Sequence, residues 1–198
     1  MTKAPLSTRQ IINRIYQDLC GFTISTSDAK LVKQSKGSPV YGEINPAALD
    51  QLLTYLNLNP NDIFYDLGSG VGKVIIQTLL SSSVGQAIGI ELSKERFHLA
   101  QTALERAENY LSGISLRGSF KNQDLLTVDL SEASVIYTCS TAFSEAFMHK
   151  LTRRLAMLSQ PFRLVSLQEL PNDPRFKPIK TLKLDMSWAR KVAVHIYQ

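Results

Sequence analysis

Residues 63–79 constrain this chain more than any other stretch. Ile63–Leu67 is a short apolar and aromatic run of the length of a buried strand. Glycines follow at alternate positions, Gly68, Gly70 and Gly72. Val71, Val74, Ile75, Thr78 and Leu79 then fall at helical spacing. A strand, a glycine turn and a helix let the backbone approach a nucleotide-like ligand, with the helix N-terminus facing it. The order Asp66-x-Gly68-x-Gly70-x-Gly72 differs from the G-x-G-x-x-G spacing of dinucleotide folds, which disfavours a dehydrogenase.

The flanking pattern predicts one α/β domain of the doubly wound kind. Ser7 to Gln10 reads as a capping box, followed by a helix with Ile11, Ile12, Ile15, Tyr16 and Leu19 on one face. Residues 23–39 are rich in Ser, Thr and Lys without sustained periodicity and read as an exposed loop. Asn45-Pro46 opens a helix bearing Leu49, Leu52, Leu53 and Leu56. Strands are expected at 63–67, 86–91, 115–120, 134–138 and 162–167, with helices from Ser93 and Ser144 between them. Residues 179–186 and 191–197 close the pattern as an antiparallel hairpin. Strands alternating with helices specify a mostly parallel, Rossmann-like sheet of seven strands. Residues 1–39 are assigned to an N-terminal helix and loop packing on the core, and 40–198 to the main domain.

In such a sheet a ligand sits beyond the carboxyl ends of the strands at the topological switch point. That brings Asp66, Glu91, Asp124 and the Cys139-Ser140 pair around one crevice. Glu91 lies nineteen residues past Gly72 at a strand end, where a carboxylate can accept two ribose hydroxyls. The acid-plus-alternate-glycine motif resembles motif I of the class I S-adenosylmethionine (SAM) methyltransferases. On that resemblance the cofactor-binding set is Glu43, Asp66, Gly68, Ser69, Gly70, Gly72, Lys73, Glu91, Leu92, Asp124 and Leu125, with Asp124 expected at the adenine amino group.

Three further segments narrow the resemblance. Tyr41-Gly42-Glu43 stands one helix before the motif. The motif reads Phe64-Tyr65-Asp66-Leu67-Gly68-Ser69-Gly70-Val71-Gly72-Lys73, and the fourth strand continues as Val135-Ile136-Tyr137-Thr138-Cys139-Ser140-Thr141-Ala142-Phe143. Together with Ser187-Trp188 they are similar to the catalytic domain of the Dot1 histone-lysine methyltransferase family, over roughly residues 40–198. The resemblance implies methyl transfer to a lysine amine, with Glu43 fixing the loop and the cofactor's amino-acid end and Tyr41 walling the site. It also implies an altered acceptor side. The family has an Asn pair where Cys139 and Ser140 stand, and a Tyr near the position of His195. On that resemblance the catalytic candidates are Tyr41, Glu43, Cys139, Ser140 and His195, the last three on the acceptor side.

Composition bears on partners and place. The net charge is +5, and residues 146–191 hold ten Lys or Arg against three acids. That surplus suits an acidic partner, a nucleic acid included, or a plain solvated surface. No apolar run reaches the eighteen or so residues of a membrane span, and residues 1–9 lack a secretory h-region. Cys20 and Cys139 show no metal-type spacing. An intracellular protein, cytoplasmic or nuclear, with no metal is expected. A nucleic-acid methyltransferase and a catalytically silent SAM-binding module stay open as alternatives.

Overall fold

The computed structural model describes residues 5–35 and 37–198. Of the stretch assigned to the N-terminal helix and loop, residues 1–4 and Lys36 lie outside the described residues. So does the start of the segment scanned for a secretory signal.

Helix α1 (Thr8–Ile15) begins at the expected capping box: Gln10 N–H donates to Ser7 Oγ, and the Gln10 side chain accepts from Ser7 N–H. Helix α2 (Thr26–Gln34) corrects the reading of 23–39 as a loop. It is short, and its support is tertiary. Asp28 accepts from Ser93 Oγ and from Lys94 N–H, while Glu95 accepts from Ser25 N–H. Two helix starts thus cap each other across about seventy residues of sequence, a pairing periodicity cannot reveal.

Helix α3 (Pro46–Leu56) starts at Pro46 as expected. The Asn45 side chain makes no capping bond; its backbone N–H is held instead by Asp185 O at 3.0 Å. Then come β1 (Ile63–Leu67), α4 (Lys73–Ser81), β2 (Gln86–Glu91) and α5 (Lys94–Ala107). The third strand is later than its apolar residues suggested. A turn of helix, α6 (Ile114–Arg117), takes the first half of the stretch read as strand, and β3 is Gly118–Asn122. The chain continues through β4 (Val135–Thr138), α7 (Glu145–Leu155), β5 (Arg163–Ser166), β6 (Pro178–Leu184) and β7 (Val192–Tyr197).

The sheet order is β3-β2-β1-β4-β5-β7-β6, with β7 antiparallel to both neighbours and the other pairings parallel. The strand order reverses between β1 and β4, which is where a crevice is expected. Side chains alternate across the sheet and divide the core in two. Phe64, Val135, Tyr137, Val165, Val194 and Ile196 face the layer of α1, α3 and α4. Tyr65, Leu67, Ile136, Leu164 and Tyr197 face α7 and the 125–133 segment. Among the described residues no helix is long and apolar enough to cross a membrane.

Candidate active site

Two cavities flank the switch point, of about 420 and 300 Å³. Tyr41, Gly42, Gly68 and Cys139 line both, so the cavities meet there. The outer one continues past Glu91, Leu92, Asp124, Leu125 and Phe143. The inner one continues past Glu43, Asp66, Ser69, Lys73 and Tyr137 toward α1.

The three motif glycines all have positive φ, +86° at Gly68, +55° at Gly70 and +84° at Gly72, which only glycine adopts freely. Their roles divide in a way the motif alone does not show. Gly68 faces the crevice, and a Cβ there would meet nothing closer than Phe143, at 3.7 Å. A Cβ on Gly70 would lie 2.2 Å from the Tyr41 ring, and one on Gly72 would lie 2.4 Å from the Phe120 ring. Gly70 and Gly72 therefore seat aromatic side chains of the protein itself. Gly70 also donates its N–H to Glu91 Oε2 at 2.8 Å, and Gly72 N-caps α4.

Glu91 is buried, and each oxygen accepts one backbone N–H, from Gly70 and from Ser93, both at 2.8 Å. Burial pushes its carboxyl above the ordinary range; those two N–H groups and the nearby Arg96 charge pull it back. A carboxylate oxygen has more than one lone pair, so Glu91 keeps acceptor capacity toward the cavity. Asp66 is treated differently. It is 2% exposed, and its Oδ1 has no hydrogen-bond partner among the described residues. Burial, with the Glu91 charge adding, raises its carboxyl well above the usual value.

The Tyr41-Gly42-Glu43 loop lies across the crevice. Tyr41 Oη donates to Glu43 Oε1 at 2.8 Å, and Lys73 Nζ pairs with Glu43 Oε2 at 2.7 Å. The loop is pinned from the C-terminal hairpin: Ser187 N–H donates to Glu43 O at 2.7 Å, and Glu43 N–H donates to Ser187 Oγ at 3.0 Å. Trp188 packs on Gly42, where a Cβ would come within 2.3 Å of its ring. Arg96 holds the other flank. It stacks 4.6 Å from the Tyr41 ring centroid and donates to Gly21 O and Pro39 O, fastening both ends of the α2 segment.

Sequence reasoning passed over Arg96 and gave Trp188 no site role, though both line the outer cavity. Trp188 is the chain's one tryptophan, which is a signal. An arginine on a helix that reads as amphipathic gives none.

Cys139 and Ser140 do not act as a pair. The strand ends at Thr138, and the chain turns into a short 3-10 helix at Ser140, which parts the two side chains. Cys139 lines both cavities, and burial followed by the Asp66 charge pushes its thiol up to about 12, so it remains neutral. Ser140 points the other way, to Ser166 Oγ at 3.0 Å and Gln168 N–H at 2.9 Å. His195 is likewise away from the crevice: it faces opposite to Val194 and Ile196, lies 3.2 Å from Thr181 Oγ1, and lines neither cavity. Asp124 lines the outer cavity while its Oδ1 accepts from Leu126 N–H at 2.8 Å.

The model of the family described as histone methylation protein DOT1 matches residues 21–191. A histone-lysine N-methyltransferase, H3 lysine-79 specific, from Caenorhabditis elegans is 32% identical over 67% of this chain and 15% of its own length. The protein of the same name from Debaryomyces hansenii is 30% identical over 85% of this chain and 15% of its own length. The chain thus spans about 15% of each of these relatives. Among solved structures, an RNA methyltransferase from Salinibacter ruber with bound S-adenosyl-L-homocysteine superposes with a TM-score of 0.57, at 24% identity, over 76% of this chain and 88% of that one. At that identity it supports the class I methyltransferase fold and no more.

Proposed function

The chain belongs to the Dot1 histone-methylation family, and from that membership and the crevice we propose that it is a SAM-dependent protein-lysine N-methyltransferase acting inside the cell. The observation that carries the cofactor reading is Asp66. A carboxyl buried without a partner either stays protonated or takes up a cation, and the α-ammonium of SAM is a cation that would lie beside a glycine turn. Gly68 leaves room there for close backbone approach. Glu91, oriented by Gly70 and Ser93, would accept the ribose hydroxyls. Asp124 and Leu125, opposite Phe143, would hold the adenine. Lys73 and Glu43 would border the amino-acid end. Bound there, SAM supplies a methyl group activated by a sulfonium.

The chain's own part is to position and to dry the acceptor. Tyr41 and the neutral Cys139 wall the junction of the two cavities without formal charge, and Trp188 and Phe143 continue that wall along the outer one. A lysine amine among them loses hydration, which lowers its pKa and favours the neutral nucleophile. Lysine 79 of histone H3, the target named for the relatives, is one candidate acceptor. The basic residues of 146–191 offer a docking surface for an acidic region of the substrate.

The test is transfer of radiolabelled methyl groups from SAM to protein extract, with nuclease or protease treatment and mass spectrometry of the labelled fraction. Nuclease-resistant, protease-sensitive label on lysine, lost in Glu91→Ala, is expected. Label confined to nucleic acid, or SAM binding without any acceptor, would overturn the reading.

A further inference from the structure

Three buried side-chain oxygens on the lining of the inner cavity have no hydrogen-bond partner among the described residues: Asp66 Oδ1, Ser69 Oγ and the Tyr137 hydroxyl. The strand register sets Asp66 directly beside Tyr137 on adjacent parallel strands. Strand alternation turns both toward the layer of α1, α3 and α4. Tyr137 is 1% exposed. A core aromatic at this position could as well be phenylalanine, and an unsatisfied buried hydroxyl costs roughly 1–3 kcal/mol. The hydroxyl is therefore unexplained by packing.

What it faces identifies the chemistry. The Lys73 and Glu43 charges are paired with each other at 2.7 Å. Asp66 is left as the acid with no counter-charge among the described residues, and Tyr137 adds beside it a group that both donates and accepts. A zwitterionic α-amino acid end matches this pair: its ammonium suits Asp66, and either of its groups suits a phenol.

We infer that Tyr137 is a further cofactor-binding residue, whose hydroxyl holds the amino-acid end of the cofactor together with Asp66. This rests on the SAM reading above. It gives Tyr137 no part in binding adenosine, because Tyr137 lines the inner cavity and is absent from the lining of the outer one.

The experiment is calorimetric titration of wild type and Tyr137→Phe with two probes. S-adenosylhomocysteine carries the amino-acid end; 5′-methylthioadenosine keeps the adenosine and thioether and lacks that end. Tyr137→Phe should weaken S-adenosylhomocysteine about 10- to 150-fold, the range for one hydrogen bond to a charged group. It should leave methylthioadenosine within about twofold. Its thermal midpoint should equal or exceed that of wild type, because only an unpaired oxygen is removed. Unchanged S-adenosylhomocysteine affinity overturns the assignment, and so does equal weakening of both probes, which marks a structural role. Wild type that binds neither probe overturns the SAM reading itself, a separable result.

Discussion

Glu91 and Asp66 are buried acids on neighbouring strands, one lining the outer cavity and one the inner, and the protein treats them in opposite ways. Each Glu91 oxygen holds a backbone N–H, one from the glycine turn and one from the start of α5. Asp66 Oδ1 has no partner among the described residues. Glu91 therefore helps build the turn as well as offering itself to a ligand. Asp66 adds a desolvated charge that the ligand-free fold does not use. Two carboxylates that look equivalent in sequence thus have different relations to stability. One side of the crevice is organised in advance, and the other is left unsatisfied until something positive enters.

The comparison can be broken at its hinge first. Gly70→Ala should have the largest effect. An L residue at φ +55° costs about 1–2 kcal/mol, and its Cβ would also displace the Tyr41 ring. Denaturation should show the loss, and SAM binding should become undetectable by calorimetry. Full binding in a stable Gly70→Ala protein would disprove the seating of Tyr41.

The carboxylate-to-amide swaps come next. Glu91→Gln leaves one of two backbone N–H groups facing an NH2, so stability should fall by roughly 1–3 kcal/mol and SAM affinity by about 10- to 100-fold. Asp66→Asn should weaken SAM similarly while stabilising the ligand-free protein at neutral pH. The sign follows from linkage. The folded pKa of Asp66 lies above its unfolded value of about 3.9. Its contribution is thus fully present below that unfolded value and is lost as pH rises through the folded pKa. Denaturant midpoints measured from pH 4 upward should fall less steeply in Asp66→Asn than in wild type. An equal or steeper fall would show that Asp66 has a partner after all.

The smallest effect belongs to His195. His195→Gln should leave SAM affinity and methyl transfer within about twofold, because the side chain lies on the other face of the sheet. A tenfold loss of turnover at unchanged stability would return His195 to the acceptor side.

Much of this site was legible because it is local. The strand, the three glycines and α4 lie within nineteen consecutive residues, and the position of Glu91 followed from the next strand's length. The α2 segment was not legible: its order comes from Asp28, Glu95 and Arg96 reaching across the fold. Cys139 and Ser140 were grouped because they are adjacent, yet the turn into a 3-10 helix at Ser140 sends the two side chains apart. Tyr137 was read only as part of the fourth strand, since nothing in sequence tells a satisfied hydroxyl from an orphaned one.

The amino-acid sequence by itself determined the sheet, its switch point and the glycine turn, because hydrophobic period and φ freedom act over a few residues. Only the tertiary structure decided which glycine faces the ligand and which seat Tyr41 and Phe120. It alone left Asp66 and Tyr137 unpaired at one cavity. Those outcomes depend on what the rest of the chain brings within 3–4 Å, a distance at which hydrogen bonds and steric contact act and on which sequence spacing is silent.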